Sequence, residues 1–303
     1  MQPVIAKIKT NKLYIEPVSH CMLKCEMCYT EPTHSIQPKV LADNTVSDFI
    51  SEFIKYNNGP IEIYWCGTGE ISIWALCLVD IINSFYISGS NIKHIIQTNG
   101  LSKGLLEPFK CILSDNVHYQ FSIDGLKLTH EMNRGKNTYD PTILNLQEFV
   151  RHKDFLTEPA SITVRSLIHR ENVYHMDEFY DEIKKISSDI NISFTLPFDN
   201  SVFEKLYNNQ PNKRISDNLN ITSLEIEKIL KESNSKFYNE LFPEESISTE
   251  HYLSLRYDGI FNCCECKVKI GGLSEDLNIN ELLNNLRTSL SHCKECPLYS
   301  YCF

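Results

Sequence analysis

Three cysteines near the N-terminus are the residues whose type and spacing point most directly to chemistry. Cys21, Cys25 and Cys28 stand in the segment VSHCMLKCEMCYTEP, at the end of the first predicted strand. Soft thiolates at such short spacing suit zinc or an iron–sulfur cluster. Structural zinc usually takes a fourth protein ligand, whereas three thiolates on a cubane leave one iron open for a substrate or cofactor. We therefore predict an iron–sulfur site; three ordinary loop cysteines or half of a zinc site are the alternatives.

A second group of cysteines lies near the C-terminus, at positions 263, 264, 266, 293, 296 and 302. Short cysteine spacings in a reducing compartment favour metal binding or catalysis over disulfide bonds. Three more cysteines, Cys66, Cys77 and Cys111, have no metal-like spacing, and we expect them to be buried thiols. We expect His20 to be a packed loop residue rather than a ligand.

Composition narrows the class of protein. The chain has 303 residues and a formal net charge of −10, with acidic and basic residues interspersed, which argues against a nucleic-acid partner. The N-terminus shows no signal-peptide pattern, and no apolar stretch approaches the length of a spanning helix. We therefore expect a cytoplasmic protein with no membrane partner. A flavodoxin- or ferredoxin-type electron donor remains compatible, because a local patch can reverse the overall field.

The elements that must position these residues alternate along the chain. Short β-branched and aromatic runs predict strands at 13–18, 61–65, 93–97, 117–123, 162–168 and 192–196. Apolar residues spaced three or four apart predict helices between them at 45–56, 74–86, 142–151 and 176–186. This rhythm is typical of βα units around a parallel sheet, and six strands suit a partial (β/α)6 barrel of the TIM type.

The pattern changes after residue 200. A polar, Asn-rich stretch at 201–222 predicts a linker or substrate-facing loop. Beyond it we expect a helix at 223–241, a hairpin through LSLRYDGIFNCC with Asp258-Gly259 at its turn, and a helix near 280–286. The predicted domains are thus a barrel at 1–200 and a small C-terminal α+β domain at 223–303.

The CxxxCxxC spacing, with Met27 before its last cysteine, resembles the motif of the radical S-adenosylmethionine (radical SAM) superfamily. The resemblance implies that a 4Fe-4S cluster binds S-adenosylmethionine (AdoMet) and, once reduced, cleaves it to a 5′-deoxyadenosyl radical. Met27 and Tyr29, on either side of Cys28, would then lie beside the cofactor. The family often has Asn after the first cysteine, where this chain has Met22.

Further segments at predicted strand ends agree with this resemblance, where barrel enzymes place their chemistry. In WCGTGE, residues Thr68, Gly69 and Glu70 stand in for the family's Gly-Gly-Glu segment, which binds the ammonium group of AdoMet. The resemblance assigns contacts with the AdoMet ribose and carboxylate to further residues at later strand ends. These are Asn99 in QTNG, Ser122 and Asp124 in FSIDG, and Arg165, while Leu196 would pack on adenine. An ordinary glycine turn and simple loop caps are the alternatives.

The C-terminal pattern of a hairpin, a helix and CKECPLYSYC resembles the auxiliary-cluster extension called SPASM, in its single-cluster twitch form. The resemblance implies that Cys263, Cys293, Cys296 and Cys302 hold a second 4Fe-4S cluster, with zinc as the alternative. Cys264 or Cys266 in place of Cys302, or an open iron that could bind substrate, are the alternatives for the fourth position. Cys264 and Cys266 are left over. In radical epimerases with such an extension a free cysteine returns a hydrogen atom to the substrate radical, and Cys264 is the candidate for that role. A spare ligand or an inert packed thiol is the alternative.

These expectations predict a radical SAM enzyme that removes a hydrogen atom from a substrate C–H bond. Quenching of the substrate radical by a thiol would give an epimer, whereas electron transfer to an auxiliary cluster would give an oxidised or cross-linked product. The substrate is expected to be a small molecule, such as a sugar or aminocyclitol, or a separately delivered ribosomal peptide. A zinc- or cluster-stabilised binding module is the non-enzymatic alternative, although it would not need the series of polar strand ends.

Overall fold

The structure is a computed structural model, and it describes residues 11–28, 39–55, 59–112, 116–153, 160–196 and 219–242. Three short strands, at 253–256, 260–263 and 268–272, are described for the backbone alone. The chain divides into two compact units. Unit 1 comprises Met1–Cys21, Pro32–Ile96 and Ser248–Phe303, and unit 2 comprises Met22–Glu31 and Gln97–Ile247.

The strands are β1 (Lys12–Glu16), β2 (Ile61–Trp65), β3 (Ile92–Thr98), β4 (Val117–Ser122), β5 (Ser161–Leu167), β6 (Asn191–Thr195), β7 (Leu253–Arg256), β8 (Ile260–Cys263) and β9 (Val268–Gly272). The helices are α1 (Asp43–Lys55), α2 (Ala75–Ile87), α3 (Leu106–Phe109), α4 (Lys127–Arg134), α5 (Tyr139–Lys153) and α6 (Met176–Ile186), followed by Ser223–Glu232 and Tyr238–Leu241. Within the described residues, no helix is long and apolar enough to cross a membrane.

Unit 1 is built on the strand order β3-β2-β1-β7-β8-β9. The first four strands run parallel, and β7-β8-β9 form an antiparallel meander. Strand β2 shows the period-two pattern that a sheet requires: Ile61, Ile63 and Trp65 are buried, while the side chains between them are half-exposed. On the more open face the rings of Tyr14 and Tyr64 stack with centroids 4.4 Å apart. The register of β1 against β2 places this pair side by side.

Unit 2 contains the parallel strands β4, β5 and β6, with β5 in the middle. Its core is aromatic: Tyr119 and Phe121 of β4 meet Phe149 of α5 edge-to-face, with ring centroids 4.9 and 5.2 Å apart. All three side chains are essentially inaccessible to solvent. Edge-to-face pairs of this kind add stability beyond the area that they bury. His118, Gln120 and Ser122, on the opposite face of β4, are half-exposed.

The six predicted strands are confirmed as β1 to β6, each within two residues of its expected ends. The four predicted helices are confirmed as α1, α2, α5 and α6. The expected helix at 223–241 is wrong as a single element, because Asn234 adopts a φ of 51° and separates Ser223–Glu232 from Tyr238–Leu241. The predicted hairpin is confirmed by antiparallel pairing of β7 with β8. Its turn at Asp258-Gly259, the helix near 280–286 and most of 201–222 lie outside the described residues.

Candidate active site

Cys25 and Cys28, in unit 2, are the two ends of a tight turn. The Cys28 amide donates to the Cys25 carbonyl at 3.2 Å, so that Glu26 and Met27 occupy the central positions. Both cysteine side chains are half-exposed, whereas Met27 is buried. The turn is tied down by one residue of α4: the Glu26 amide donates to the Asn133 carbonyl at 2.8 Å, and the Met27 amide donates to Asn133 Oδ1 at 2.9 Å.

The chain that leads to Cys21 lies in unit 1 and is fixed by the loop after β2. The Glu70 amide donates to the His20 carbonyl at 2.8 Å. Gly69 packs directly against this segment, since a Cβ built there would lie 2.4 Å from the Val18 carbonyl oxygen and 2.6 Å from that of His20. Cys21 itself is half-exposed. A glycine at 69 is therefore required for close approach of two backbone segments.

Two glutamates hold the rest of the WCGTGE segment. Glu16, at the end of β1, accepts from the Thr68 amide at 3.2 Å and from the Thr68 hydroxyl at 2.8 Å. Glu70, which is buried, accepts from the Ser72 amide at 3.1 Å and caps the short 3₁₀ turn Ile71–Trp74. Gly67 adopts a φ of 116° at the bend. Glu16 was not among the predicted site residues, because its role depends on the pairing of β1 with β2.

Asn99 follows β3 in unit 2 and is buried. Its Oδ1 accepts from the Leu101 amide at 2.9 Å, and its Nδ2 lies 3.2 Å from the Met22 sulfur. Its own carbonyl accepts from the Thr142 hydroxyl at 3.2 Å. Asn99 therefore bridges the loop after β3 to the residue that immediately follows Cys21 in the chain.

Asp124, one of the residues expected to contact the cofactor, is fully buried and its acceptor sites are occupied. Its Oδ2 accepts from Asn133 Nδ2 at 2.7 Å and Arg134 Nε at 2.6 Å, and its Oδ1 accepts from the Leu167 amide at 2.9 Å and Arg134 Nη2 at 3.3 Å. A carboxylate offers about four acceptor positions. Burial alone raises the pKa of Asp124, but the Arg134 charge and these hydrogen bonds outweigh it and lower that pKa. This geometry gives Asp124 a structural role and leaves no acceptor for the ribose.

Ser122 and Arg165 are neighbours across β4 and β5, because the strand register places them opposite each other. Arg165 is exposed, and its Nε donates to Thr195 Oγ1 at 2.9 Å. Leu196, directly after β6, is half-exposed. The structure thus groups Ser122 and Arg165 on one face of the unit 2 sheet, where the guanidinium fork could bind a carboxylate.

Two buried histidines surround Asp124 in unit 2. His130 Nδ1 accepts from the Asp124 amide at 3.1 Å, and His169 Nδ1 accepts from the Glu171 amide at 3.3 Å. Burial lowers the pKa of His130 to about 4, and it also lowers the pKa of His169. Both rings are therefore neutral near pH 7.

Several predicted site residues fall outside the described residues: Tyr29, Cys264, Cys293, Cys296 and Cys302, while Cys263 is described for its backbone alone. The prediction that Cys111 is buried is wrong, because its position at the end of a short helical turn leaves it exposed. Cys66 and Cys77 are half-exposed rather than buried. Among the described side chains, no group of three or more His, Cys, Asp or Glu is placed to hold a single metal ion. Assignment of Cys21, Cys25 and Cys28 to a cluster therefore depends on thiolate chemistry and spacing, which fit it.

Comparison with known proteins gives structural matches alone. No protein-family model and no curated protein sequence match the chain. A hexahistidine-tagged anSMEcpe with bound AdoMet matches with a TM-score of 0.68 at 18% identity, over 96% of this chain and 87% of that chain. Native anSMEcpe with bound AdoMet and the Cp18Cys peptide gives 0.67 at 20% identity, over the same shares. Streptococcus suis SuiB bound to S-adenosylmethionine gives 0.63 at 13% identity, over 95% of this chain and 70% of that chain.

These matches define the class of fold. The chain has the α/β partial-barrel fold of these proteins, which confirms the predicted fold class. These structures contain bound AdoMet, the cofactor that the resemblance of the cysteine motif implies for this chain. Identities of 13 to 20% show a shared fold, while activity must be argued from the residues of the site.

Proposed function

We propose that this protein is a radical SAM enzyme whose first cluster is a 4Fe-4S cluster held by Cys21, Cys25 and Cys28. The observation that carries the proposal is the placement of this CxxxCxxC segment directly after β1, in a fold shared with AdoMet-bound proteins. When bound and reduced, the cluster with AdoMet supplies a 5′-deoxyadenosyl radical that removes a hydrogen atom from a substrate C–H bond. The chain's own residues bind, orient and shield these groups.

The loop after β2 is proposed to receive the ammonium group of AdoMet. Glu16 and the close packing of Gly69 fix the backbone of Thr68, Gly69 and Glu70, which supports a rigid binding segment. In unit 2, the exposed Arg165 would pair with the AdoMet carboxylate, with Ser122 beside it. Asn99, Leu196, Met27 and Tyr29 are retained as proposed cofactor contacts.

A peptide is the substrate class that we favour. Three of the solved structures with this fold were determined with peptides, namely Cp18Cys, Kp18Cys and the precursor peptide SuiA. A sugar or aminocyclitol would be the competing substrate. Incubation of the reduced protein with AdoMet and peptides encoded beside its gene, followed by mass spectrometry, tests this part of the proposal. Modification of a sugar with no change in any peptide would contradict it.

The C-terminal region, residues 223–303, is proposed to carry a second 4Fe-4S cluster on Cys263, Cys293, Cys296 and Cys302. Cys264 would then give the hydrogen atom of its S–H bond to the substrate radical and become a thiyl radical, which one electron from the low-potential reductant and one proton from solvent would return to the thiol. This makes epimerisation the proposed outcome. In deuterated water the product should gain solvent deuterium at one carbon, and Cys264→Ala should lose that incorporation. A two-electron mass change without deuterium would instead show oxidation. Anaerobic reconstitution should yield about eight iron atoms per chain, whereas a content of about four would contradict the proposal of a second cluster.

The activity itself is tested by release of 5′-deoxyadenosine from AdoMet. The anaerobically reconstituted protein should release it with a low-potential reductant and not without one. Absence of 5′-deoxyadenosine from protein that holds a complete, reducible cluster would contradict the proposed function.

A further inference from the structure

The turn between Cys25 and Cys28 has an unusual anchor. In a four-residue turn closed by one backbone hydrogen bond, the two central amides normally need another partner or water. Here both central amides, those of Glu26 and Met27, donate to the same residue, Asn133, through its carbonyl and its Oδ1. Asn133 is 2% exposed, so these hydrogen bonds are shielded from competing water.

The orientation of the Asn133 amide follows from its other partner. Its Nδ2 lies 2.7 Å from Asp124 Oδ2, and an ionised carboxylate can only accept. The nitrogen of the Asn133 amide must therefore face Asp124, which turns Oδ1 toward the Met27 amide. Asp124 is in turn fixed by Arg134 and the Leu167 amide. A continuous chain of hydrogen bonds thus leads from the start of the loop after β4, through α4, to the turn.

We infer that Asn133, held in place by Asp124, is a positioning residue for the cluster-binding turn. The inference deepens the proposed function and depends on it. Asn133 accepts from the two backbone amides between Cys25 and Cys28 and so sets where the two cysteines present their sulfurs. Partners of this kind orient metal ligands and tune a metal site, and their loss typically weakens metal binding about 10- to 100-fold.

The test compares variants of the reconstituted holoprotein. Asn133→Ala removes the Oδ1 acceptor and the link to Asp124. Its matched control is Asn172→Ala, because Asn172 is also 2% exposed and its Oδ1 also accepts a backbone amide, that of His169, at 2.8 Å. Asn172 Nδ2 also donates to the Asp124 carbonyl at 3.3 Å, but Asn172 has no hydrogen bond with the cysteine turn among the described residues. Asn172→Ala therefore keeps the side-chain link between Asp124 and Asn133 and both bonds from Asn133 to the turn. Thermal unfolding of both variants measures how far each disturbs the fold.

A second pair of variants keeps Asn133 intact. Glu26→Pro deletes one of the two amide donors at a turn position that favours proline, whereas Glu26→Ala deletes only an exposed side chain. Neither change creates a cavity in the core, so this pair of variants tests the inference even if Asn133→Ala does not fold.

Two quantities are measured: the rate at which a chelator removes the cluster, and the midpoint potential of the cluster. The chelator should remove the cluster from Asn133→Ala at least about tenfold faster than from the unaltered protein, and the midpoint potential of the cluster should shift. Glu26→Pro should show smaller changes in the same direction. Asn172→Ala and Glu26→Ala should stay within about twofold. The inference is overturned by an unchanged cluster in Asn133→Ala, or by equal losses in Asn133→Ala and Asn172→Ala. Absence of any 4Fe-4S cluster from the unaltered protein is a different result, which removes the proposed function and this inference with it.

Discussion

The α-carbon of Gly69 approaches the Val18 carbonyl so closely that a Cβ at position 69 would lie 2.4 Å from that oxygen. The contact joins the loop after β2 to the segment that leads from β1 to Cys21. Both partners are backbone, so neither can move aside as a flexible side chain would. The spacing of this loop from the segment before Cys21 is therefore set by the absence of a side chain at one residue.

Gly69→Ala should destabilise the protein because the added methyl group has to displace backbone. Overpacking of this kind typically costs about 1–3 kcal/mol. The measurements are the free energy of unfolding in urea and the iron content after reconstitution, and both should be lower in Gly69→Ala than in the unaltered protein. Gly59→Ala is the control, since nothing lies within 4 Å of a Cβ there, and its effect should stay within about 0.5 kcal/mol. Equal stability of the two variants would show that the backbone before Cys21 can shift to accommodate the methyl group at little cost in free energy.

Arg134→Met should be strongly destabilising because it leaves the Asp124 carboxylate buried without its charge partner. The Asp124 side chain has no exposed surface and that of Arg134 is 15% exposed, so the loss should be about 3 kcal/mol or more. Arg170→Met is the control: Arg170 and Glu225 are 3.6 Å apart and about half-exposed, and such pairs contribute about 0–1 kcal/mol.

The same pair predicts a pH dependence. Arg134 holds the pKa of Asp124 below its ordinary value against the opposing effect of burial. The stability that the ionised Asp124 carboxylate contributes is therefore present at neutral pH and is lost as the pH falls below the ordinary aspartate range. If Arg134→Met unfolds no more easily than Arg170→Met at pH 7, the network around Asp124 does not stabilise unit 2.

Thr68→Val tests the clamp between Glu16 and the loop after β2. It deletes the hydroxyl that donates to Glu16 at 2.8 Å and leaves a buried carboxylate oxygen with one donor fewer. Hydrogen bonds to charged groups contribute about 1.5–3 kcal/mol, so the free energy of unfolding in urea should fall by about that amount. Thr68→Ser retains the hydroxyl and should lose much less. A Thr68→Val protein as stable as Thr68→Ser would contradict the clamp.

Buried neutral histidines predict that stability falls in mild acid. Burial lowers the pKa of His94 to about 3 and that of His130 to about 4, whereas an unfolded histidine titrates near about 6.5. Between about pH 6.5 and 5 the unfolded chain binds more protons than the fold. The free energy of unfolding should therefore decrease as pH falls, by up to about 1.4 kcal/mol per pH unit for each histidine.

His94→Gln isolates one of these contributions. Glutamine can still accept the hydrogen bond that Trp65 Nε1 donates to His94 Nδ1 at 3.1 Å, but it does not titrate. The slope of unfolding free energy against pH should be shallower in this variant. An unchanged slope would show that His94 does not contribute to the acid sensitivity.

The strands and main helices could be predicted from local patterns, because apolar periodicity is a property of neighbouring residues. The cysteine motif and the glycine of WCGTGE could also be found from short segments of the sequence, whereas the turn between Cys25 and Cys28 was found only in the structure. Glu16 and Asn133 could not, since each acts on a segment far away in sequence: Met27 and Asn133 are 106 positions apart. The segment HEMNRG after FSIDG did carry a signal, a polar helix end closed by Gly135 with a φ of 102°. Asp124 is the opposite case: its motif suggested a contact with the cofactor, whereas its burial and its hydrogen bonds give it a structural role.

The central claim is tested most directly by comparing Cys25→Ala with Cys111→Ala. Each variant removes one thiol, but Cys25 lies in the proposed cluster motif and Cys111 is an exposed cysteine outside it. After anaerobic reconstitution and reduction with AdoMet present, the unaltered protein and Cys111→Ala should release 5′-deoxyadenosine at similar rates, and Cys25→Ala should release none. Release from Cys25→Ala at the rate of Cys111→Ala would contradict the account.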